Sequence, residues 1–231
     1  MSDNTKLFKV DIGCGSNKKE GCLGIDYEKF ENVDIVLDLT AGTIPLDDRS
    51  VGYIHSAHFF EHIRTPNHVF SEISRIAADG AELEIWTPYA YSDGAFCYGH
   101  EVFLTEEHWQ HICVKFPDFY QSIINARWLL KKIVYIVERN VYDDIRKNGF
   151  EIAFAINYFK GIVSEFGVFI EIKHEKNLQS TIPKRYYSFE RGGEVFPLDY
   201  NPSRTISRLK SIKPPVRRFW QKLAASHNNP R

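Results

Sequence analysis

Val10-Asp11-Ile12-Gly13-Cys14-Gly15-Ser16 reads as a short strand that runs straight into a glycine turn. Glycines at such a turn let the backbone bend sharply and approach a ligand with no Cβ in the way. About a dozen residues on, a second strand ends in Gly24-Ile25-Asp26, where a carboxylate can accept hydrogen bonds from both hydroxyls of a ribose. A third acidic position, Asp38, closes Asp34-Ile35-Val36-Leu37-Asp38-Leu39. A glycine turn alone is a weak signal, and three acidic strand ends in order strengthen it. The dinucleotide fingerprint G-x-G-x-x-G does not fit, because Lys18 stands at the third glycine position and the link to the second strand is short.

Outward from that turn, short apolar runs alternate with helical spacing, the pattern of parallel strands joined by crossovers. Strands are expected at Phe8 to Ile12, Leu23 to Tyr27, Asp34 to Asp38, Gly52 to Ala57 and Leu83 to Thr87. A helix is expected from Pro66 to Ala77, with Val69, Ile73 and Ile76 on one face and Asp79-Gly80 as its stop. The first crossover helix is shortened to about one turn. Thr105 caps a further helix, and early Glu106 and Glu107 favour its dipole. Trp128 to Glu138 and Phe169 to His174 read as late antiparallel strands, with a helix between Asp143 and Phe166. The fold class is therefore α/β: a doubly wound, Rossmann-like, mostly parallel sheet with helices on both faces, a late antiparallel strand pair and a helical insertion.

With 231 residues of which 43% are hydrophobic, the chain can bury one substantial core. We divide it into a domain over 1–199, with a substrate-side insertion at about 116–166, and a basic tail over 200–231. A net charge of -1 gives no overall attraction to nucleic acid, which is an unlikely partner. Cys14, Cys22, Cys97 and Cys113 show no pairing pattern, which fits a reducing compartment, and Cys14 reads as a small buried filler. No signal peptide and no membrane-spanning run is seen, so a cytoplasmic location is expected.

The segments Asp11-Ile-Gly-Cys-Gly-Ser, Gly24-Ile-Asp-Tyr, Asp34-Ile-Val-Leu-Asp-Leu, Ile44-Pro-Leu-Asp-Asp-Arg-Ser-Val-Gly-Tyr-Ile, Ser56-Ala-His-Phe-Phe-Glu-His-Ile and Ala78-Asp-Gly-Ala-Glu-Leu-Glu-Ile together resemble a known family. That family is the class I S-adenosylmethionine-dependent methyltransferases, and within it the methyltransferase type 11 group. The resemblance implies S-adenosyl-L-methionine as cofactor. It implies that Asp11, Gly13 and Gly15 shape the methionine side of the pocket, that Asp26 holds the ribose, and that Asp38 and Leu39 border the adenine. Ser56 and His58 would lie near the methionine moiety and the substrate entrance. Ala78-Asp79-Gly80-Ala81 departs from the lysine-proline-double-glycine turn usual in the family.

Seven of the nine histidines fall between His55 and His111. His58, Glu61 and His62 follow the fourth strand, where open α/β sheets place their ligand crevice. A hydroxyl is a weak nucleophile at neutral pH and benefits from a positioned base, for which His62, His100 and Glu61 are the candidates. His62 is equally compatible with capping a helix or orienting a loop. The cluster His58, His62, His100 and Glu61 suits a divalent metal in residue type, yet its spacing is not diagnostic and assigns no metal. Trp86-Thr87-Pro88-Tyr89-Ala90-Tyr91 would line the acceptor side or be ordinary core.

After Asp199 the chain has no acidic residue, and Val216, Phe219, Trp220 and Leu223 share one helical face. Such a tail suits an anionic membrane surface carrying a glycolipid intermediate, nucleic acid phosphates, or packing on the domain. The type 11 resemblance points to a sugar or glycan hydroxyl as acceptor and to polysaccharide biosynthesis. A small metabolite as acceptor, and a catalytically inactive S-adenosylmethionine-binding partner protein, are the competing readings.

Overall fold

The computed structural model describes residues 7–198 apart from 176 and 180. The basic tail, and with it any membrane contact, lies outside them. One sheet carries nine strands: β1 (Phe8–Ile12), β2 (Leu23–Asp26), β3 (Ile35–Val36), β4 (Val51–Ala57), β5 (Ala77–Pro88), β6 (Arg127–Ile136), β7 (Glu165–Lys173), β8 (Lys184–Ser188) and β9 (Phe196–Pro197). Five helices accompany them: α1 (Asn67–Ile76), α2 (Glu106–Gln110), α3 (Pro117–Ile124), α4 (Arg139–Lys147) and α5 (Ile152–Tyr158). No described helix is long and apolar enough to cross a membrane.

The strand order is β3-β2-β1-β4-β5-β7-β6-β8-β9. The first five strands are mutually parallel, and β7 runs antiparallel to both β5 and β6. The doubly wound sheet and its late antiparallel pair are thus present. From β1 the chain steps outward to β2 and β3, then returns across β1 to β4, so the carboxyl ends of β1 and β4 form a switch point. Ile12 pairs with Ser56 there, and beyond them the two chains part.

The sheet face of Val10, Ile54, Leu83 and Val168 joins one core cluster with Ile73 of α1, Trp109 of α2, Ile124 of α3, Ile145 of α4 and Ile156 of α5. On the other face Trp86, Val134 and Ile136 cluster with Ala57, Phe169 and Tyr186, all of them strand residues. The described helices therefore cover the first face, where helices on both faces were expected, and strand side chains alone make the cluster on the second. No helix forms between β1 and β2, where one short turn was expected. Gly13 to Cys22 is too short a link for the dozen or more residues that a helical crossover takes.

Other boundaries moved for physical reasons. The chain leaves α1 directly into β5, because Ala77 is already extended, and Asp79-Gly80 forms an irregularity inside that strand instead of ending the helix. Gly80 sits at φ +85°, a conformation that suits glycine. The single helix expected from Asp143 to Phe166 is two helices, broken around Gly149 at φ +80°. Residues 116–166, read as an insertion, also supply β6 to the sheet. Strands β8 and β9 and helix α3 were not anticipated.

Glu72 locks α1 to the loop before β4. One carboxylate oxygen accepts from the amide of Ile44 at 2.8 Å, while both take the Arg75 guanidinium at 2.9 Å. The Arg75 hydrogen bond, more than the Ile44 amide, holds this buried carboxyl below its usual 4.5. Its contribution is present above that value and is lost as the pH falls through the lower folded value. Glu72→Gln keeps an acceptor for Ile44 but loses the charge, and should cost about 1 to 3 kcal/mol at pH 7. Urea unfolding of both proteins should show the gap narrowing as the pH is taken down below 4.5; a gap independent of pH would refute the pairing.

Candidate functional site

The glycine turn is fastened to β2 and β4 by carboxylates. Asp26, buried at the end of β2, accepts from the amide of Gly15 at 2.9 Å and from that of Glu28 at 3.1 Å, one bond on each oxygen. Since each carboxylate oxygen has two lone pairs, acceptor capacity remains for a ligand. Asp11 accepts from the amide of Lys19 at 2.7 Å, and its other oxygen takes Nδ1 of His55 at 2.7 Å. An ionised carboxylate only accepts, so Nδ1 carries the proton. Asp11 thus shapes the turn from beneath.

The two glycines differ. Gly13 has φ +66°, and a Cβ there would stand 2.4 Å from Cδ2 of Phe59. Gly15 has φ +51° and nothing within 4 Å of a Cβ, so its open side faces free space. Cys14, as expected, is a buried filler whose thiol is pushed up to about 11 by burial and by the charges of Asp11 and Asp26. Asp38 lies beyond the short β3, where one oxygen accepts from the amide and hydroxyl of Thr40 at 2.9 and 2.6 Å. Those bonds hold it below the usual carboxylate range. Leu39 beside it is buried.

At the end of β4, Ser56 is fully buried and its hydroxyl has no partner among the described residues. His58 follows at φ +54°, a strained conformation for a non-glycine residue at a strand end. Its Nδ1 is 3.1 Å from Glu61 and its Nε2 is 3.2 Å from Glu165, at the start of β7. Glu165 first and Glu61 second raise it to about 9. The Arg191 guanidinium also touches Nε2, a contact only a neutral ring could accept; two carboxylates outweigh it, and the guanidinium is already engaged by Glu165.

Glu61, His62 and His100 come together across forty residues of sequence. The carbonyl of Glu61 accepts from the amides of Glu101 and Val102 at 2.8 and 3.0 Å, pinning the Gly99–Val102 segment against the 3-10 turn of Phe60–His62. The rings of His62 and His100 then pack edge to face with centroids 4.9 Å apart. All three candidate acceptor-side residues thus share one place, beside His58.

At the carboxyl ends of β5 and β6 lies a cavity of about 540 Å³. Tyr89, Tyr91 and Tyr135 supply its aromatic wall, Ile156 and Asn157 of α5 one side, and the pair of Glu106 and Arg185 its polar floor. The Trp86–Tyr91 segment divides: Tyr89 and Tyr91 line the cavity, whereas Trp86 is core on the opposite face. Sequence reading missed His55, Phe59, Glu165, Arg185 and Arg191. Only His55, in alternation with Tyr53 and Ala57, carried a signal, namely a polar residue on a strand face shared with Asp11.

No protein family and no curated protein matches the chain. Solved structures similar to it include a SAM-dependent methyltransferase from Archaeoglobus fulgidus, 18% identical, with 72% of this chain and 87% of that one aligned at a TM-score of 0.47. A second is the geranyl diphosphate C-methyltransferase of Streptomyces coelicolor A3(2), 15% identical over 72% and 74% of the two chains, with a TM-score of 0.48. A third is a putative type 11 methyltransferase from Sulfolobus solfataricus, 17% identical over 74% and 88%, with a TM-score of 0.41.

Proposed function

We propose that this chain is an S-adenosylmethionine-dependent methyltransferase acting on a hydroxyl of a sugar or glycan intermediate. One observation carries the reading: the glycine turn, Asp26 and the end of β4 meet at the switch point of a parallel sheet, where such sheets hold their ligands. The residues fit the cofactor. Gly15 has free space where a Cβ would be, Asp26 keeps unused lone pairs for a ribose, and the Ser56 hydroxyl is buried and unpartnered. Asp38 and Leu39 would border the adenine, and Ser56 and His58 would lie near the methionine moiety and the substrate entrance.

When bound, S-adenosylmethionine supplies an electrophilic methyl group on a sulfonium. What the chain must do is align an acceptor, exclude water and take up the acceptor's proton. The tyrosine-walled cavity offers flat faces for a hydroxylated ring, and Glu106, Gln110 and Arg185 offer hydrogen-bond partners for its substituents. In the ion-free chain Glu61, His62 and His100, beside His58, are the groups for the acceptor proton.

Calorimetric titration with S-adenosylmethionine and S-adenosylhomocysteine, with NAD as control, tests this directly. Micromolar binding of the first two and none of NAD is expected. Asp26→Ala should weaken it by about 1 to 3 kcal/mol, roughly 5- to 150-fold. NAD binding alone, or no binding, would overturn the assignment. Turnover with nucleotide-sugar or oligosaccharide acceptors, against small metabolites, then tests the acceptor.

A further inference from the structure

Glu61 is 2% exposed, and one of its carboxylate oxygens, Oε2, is buried without a hydrogen-bond partner, while the other meets Nδ1 of His58. A buried carboxylate oxygen in that condition calls for a cation or a donor. Two imidazoles stand beside it. Nδ1 of His62 lies 2.9 Å from the carbonyl oxygen of Gly99, and Nδ1 of His100 lies 3.2 Å from that of Ala95. A carbonyl only accepts, so both Nδ1 atoms carry the proton and both Nε2 atoms present a lone pair. An imidazole fixed through its other nitrogen by a backbone carbonyl is the arrangement that metal-binding histidines use.

One ligand atom from each of the three residues lies within 4.8 Å of the other two. Neither imidazole is hydrogen-bonded to Glu61, so no proton is shared among them. Ligands around a tetrahedral zinc stand roughly 3.3 Å apart, given bonds of about 2.0 to 2.1 Å. Closing that gap falls to the exposed His62 and the half-buried His100, since Glu61 is buried. We propose that Glu61, His62 and His100 form a binding site for a divalent first-row transition-metal cation, zinc or a borderline ion like it, held by two imidazole nitrogens and one carboxylate oxygen. Such a set leaves coordination positions open, as catalytic rather than structural sites do. That the open positions would face a methyl acceptor rests on the methyltransferase reading; the binding of the ion does not.

The test uses the full chain stripped with a chelator and no S-adenosylmethionine. Calorimetric titration with ZnCl2, and visible absorption with CoCl2, should give one saturable ion per chain. His62→Ala and His100→Ala should each weaken binding at least tenfold, and Glu61→Gln likewise, with far-ultraviolet circular dichroism unchanged for the exposed His62 variant. His111→Ala should bind as the parent does. Absence of saturable zinc and cobalt binding by the parent chain, or undiminished binding by His62→Ala, would overturn the site. Either result is independent of cofactor titration, so its failure is distinguishable from failure of the methyltransferase reading.

Discussion

Gly13→Ala should lower the melting temperature by roughly 5 to 15 °C, about twice the effect of Gly15→Ala, although both glycines occupy the left-handed region. At φ +66° and +51° an added Cβ costs each position about 1 to 2 kcal/mol. Only at Gly13 does it also meet a side chain, 2.4 Å from the Phe59 ring. Forcing an extra methyl into packed surroundings adds about 1 to 3 kcal/mol. Thermal unfolding followed by circular dichroism reads the difference. Combining Gly13→Ala with Phe59→Ala should recover the steric part, so the double-mutant cycle should show strong coupling. Equal effects at the two glycines would mean that Phe59 does not pack there. The consequence extends to the site, because Phe59 leads directly into Phe60, Glu61 and His62.

That difference between the glycines illustrates what the sequence could and could not convey. The strand-turn segment, the acidic strand ends and the β4 residues were legible because they are local patterns that the sheet places in order. Glu61 and His62 were visible for the same reason, and His100 as a histidine ahead of Thr105. What could not be read was non-local. Phe59 against Gly13, Arg191 reaching Glu165, and Arg185 on Glu106 join residues with no fixed sequence spacing. The helix expected between β1 and β2 failed because the link is too short, a fact that was countable; β8 was missed because Lys184-Arg-Tyr-Tyr-Ser finds its strand partner in β6, far upstream in the sequence. A second lesson concerns Asp11. As a strand-end acid it invites a ligand-binding role, and its two oxygens also brace the turn from beneath through Lys19 and His55.

Asp11→Ala is accordingly expected to be the most damaging single change at the site, at about 2 to 6 kcal/mol, because two donors each lose their acceptor at about 1 to 3 kcal/mol apiece. The change removes the acceptor of the Lys19 amide at 2.7 Å and of His55 Nδ1 at 2.7 Å together. His55, itself only 8% exposed, would be left with a buried N–H and no acceptor for it. Lys19 has a further role, since its ammonium reaches the hydroxyl of Tyr53 at 2.6 Å and Glu84 at 3.1 Å, so the turn is tied to β4 and β5 through the same residue. Asp11→Asn should cost less. Its amide oxygen can keep the Lys19 bond, and its NH2 can donate to His55 once the ring moves its proton to Nε2. Urea midpoints should therefore rank the parent above Asp11→Asn and Asp11→Ala lowest. On the proposed methyltransferase reading, S-adenosylmethionine affinity should follow the same order, because the turn that Asp11 braces is the one proposed to meet the cofactor. An Asp11→Ala protein of parental stability that had lost only cofactor binding would instead place the carboxylate in contact with the ligand.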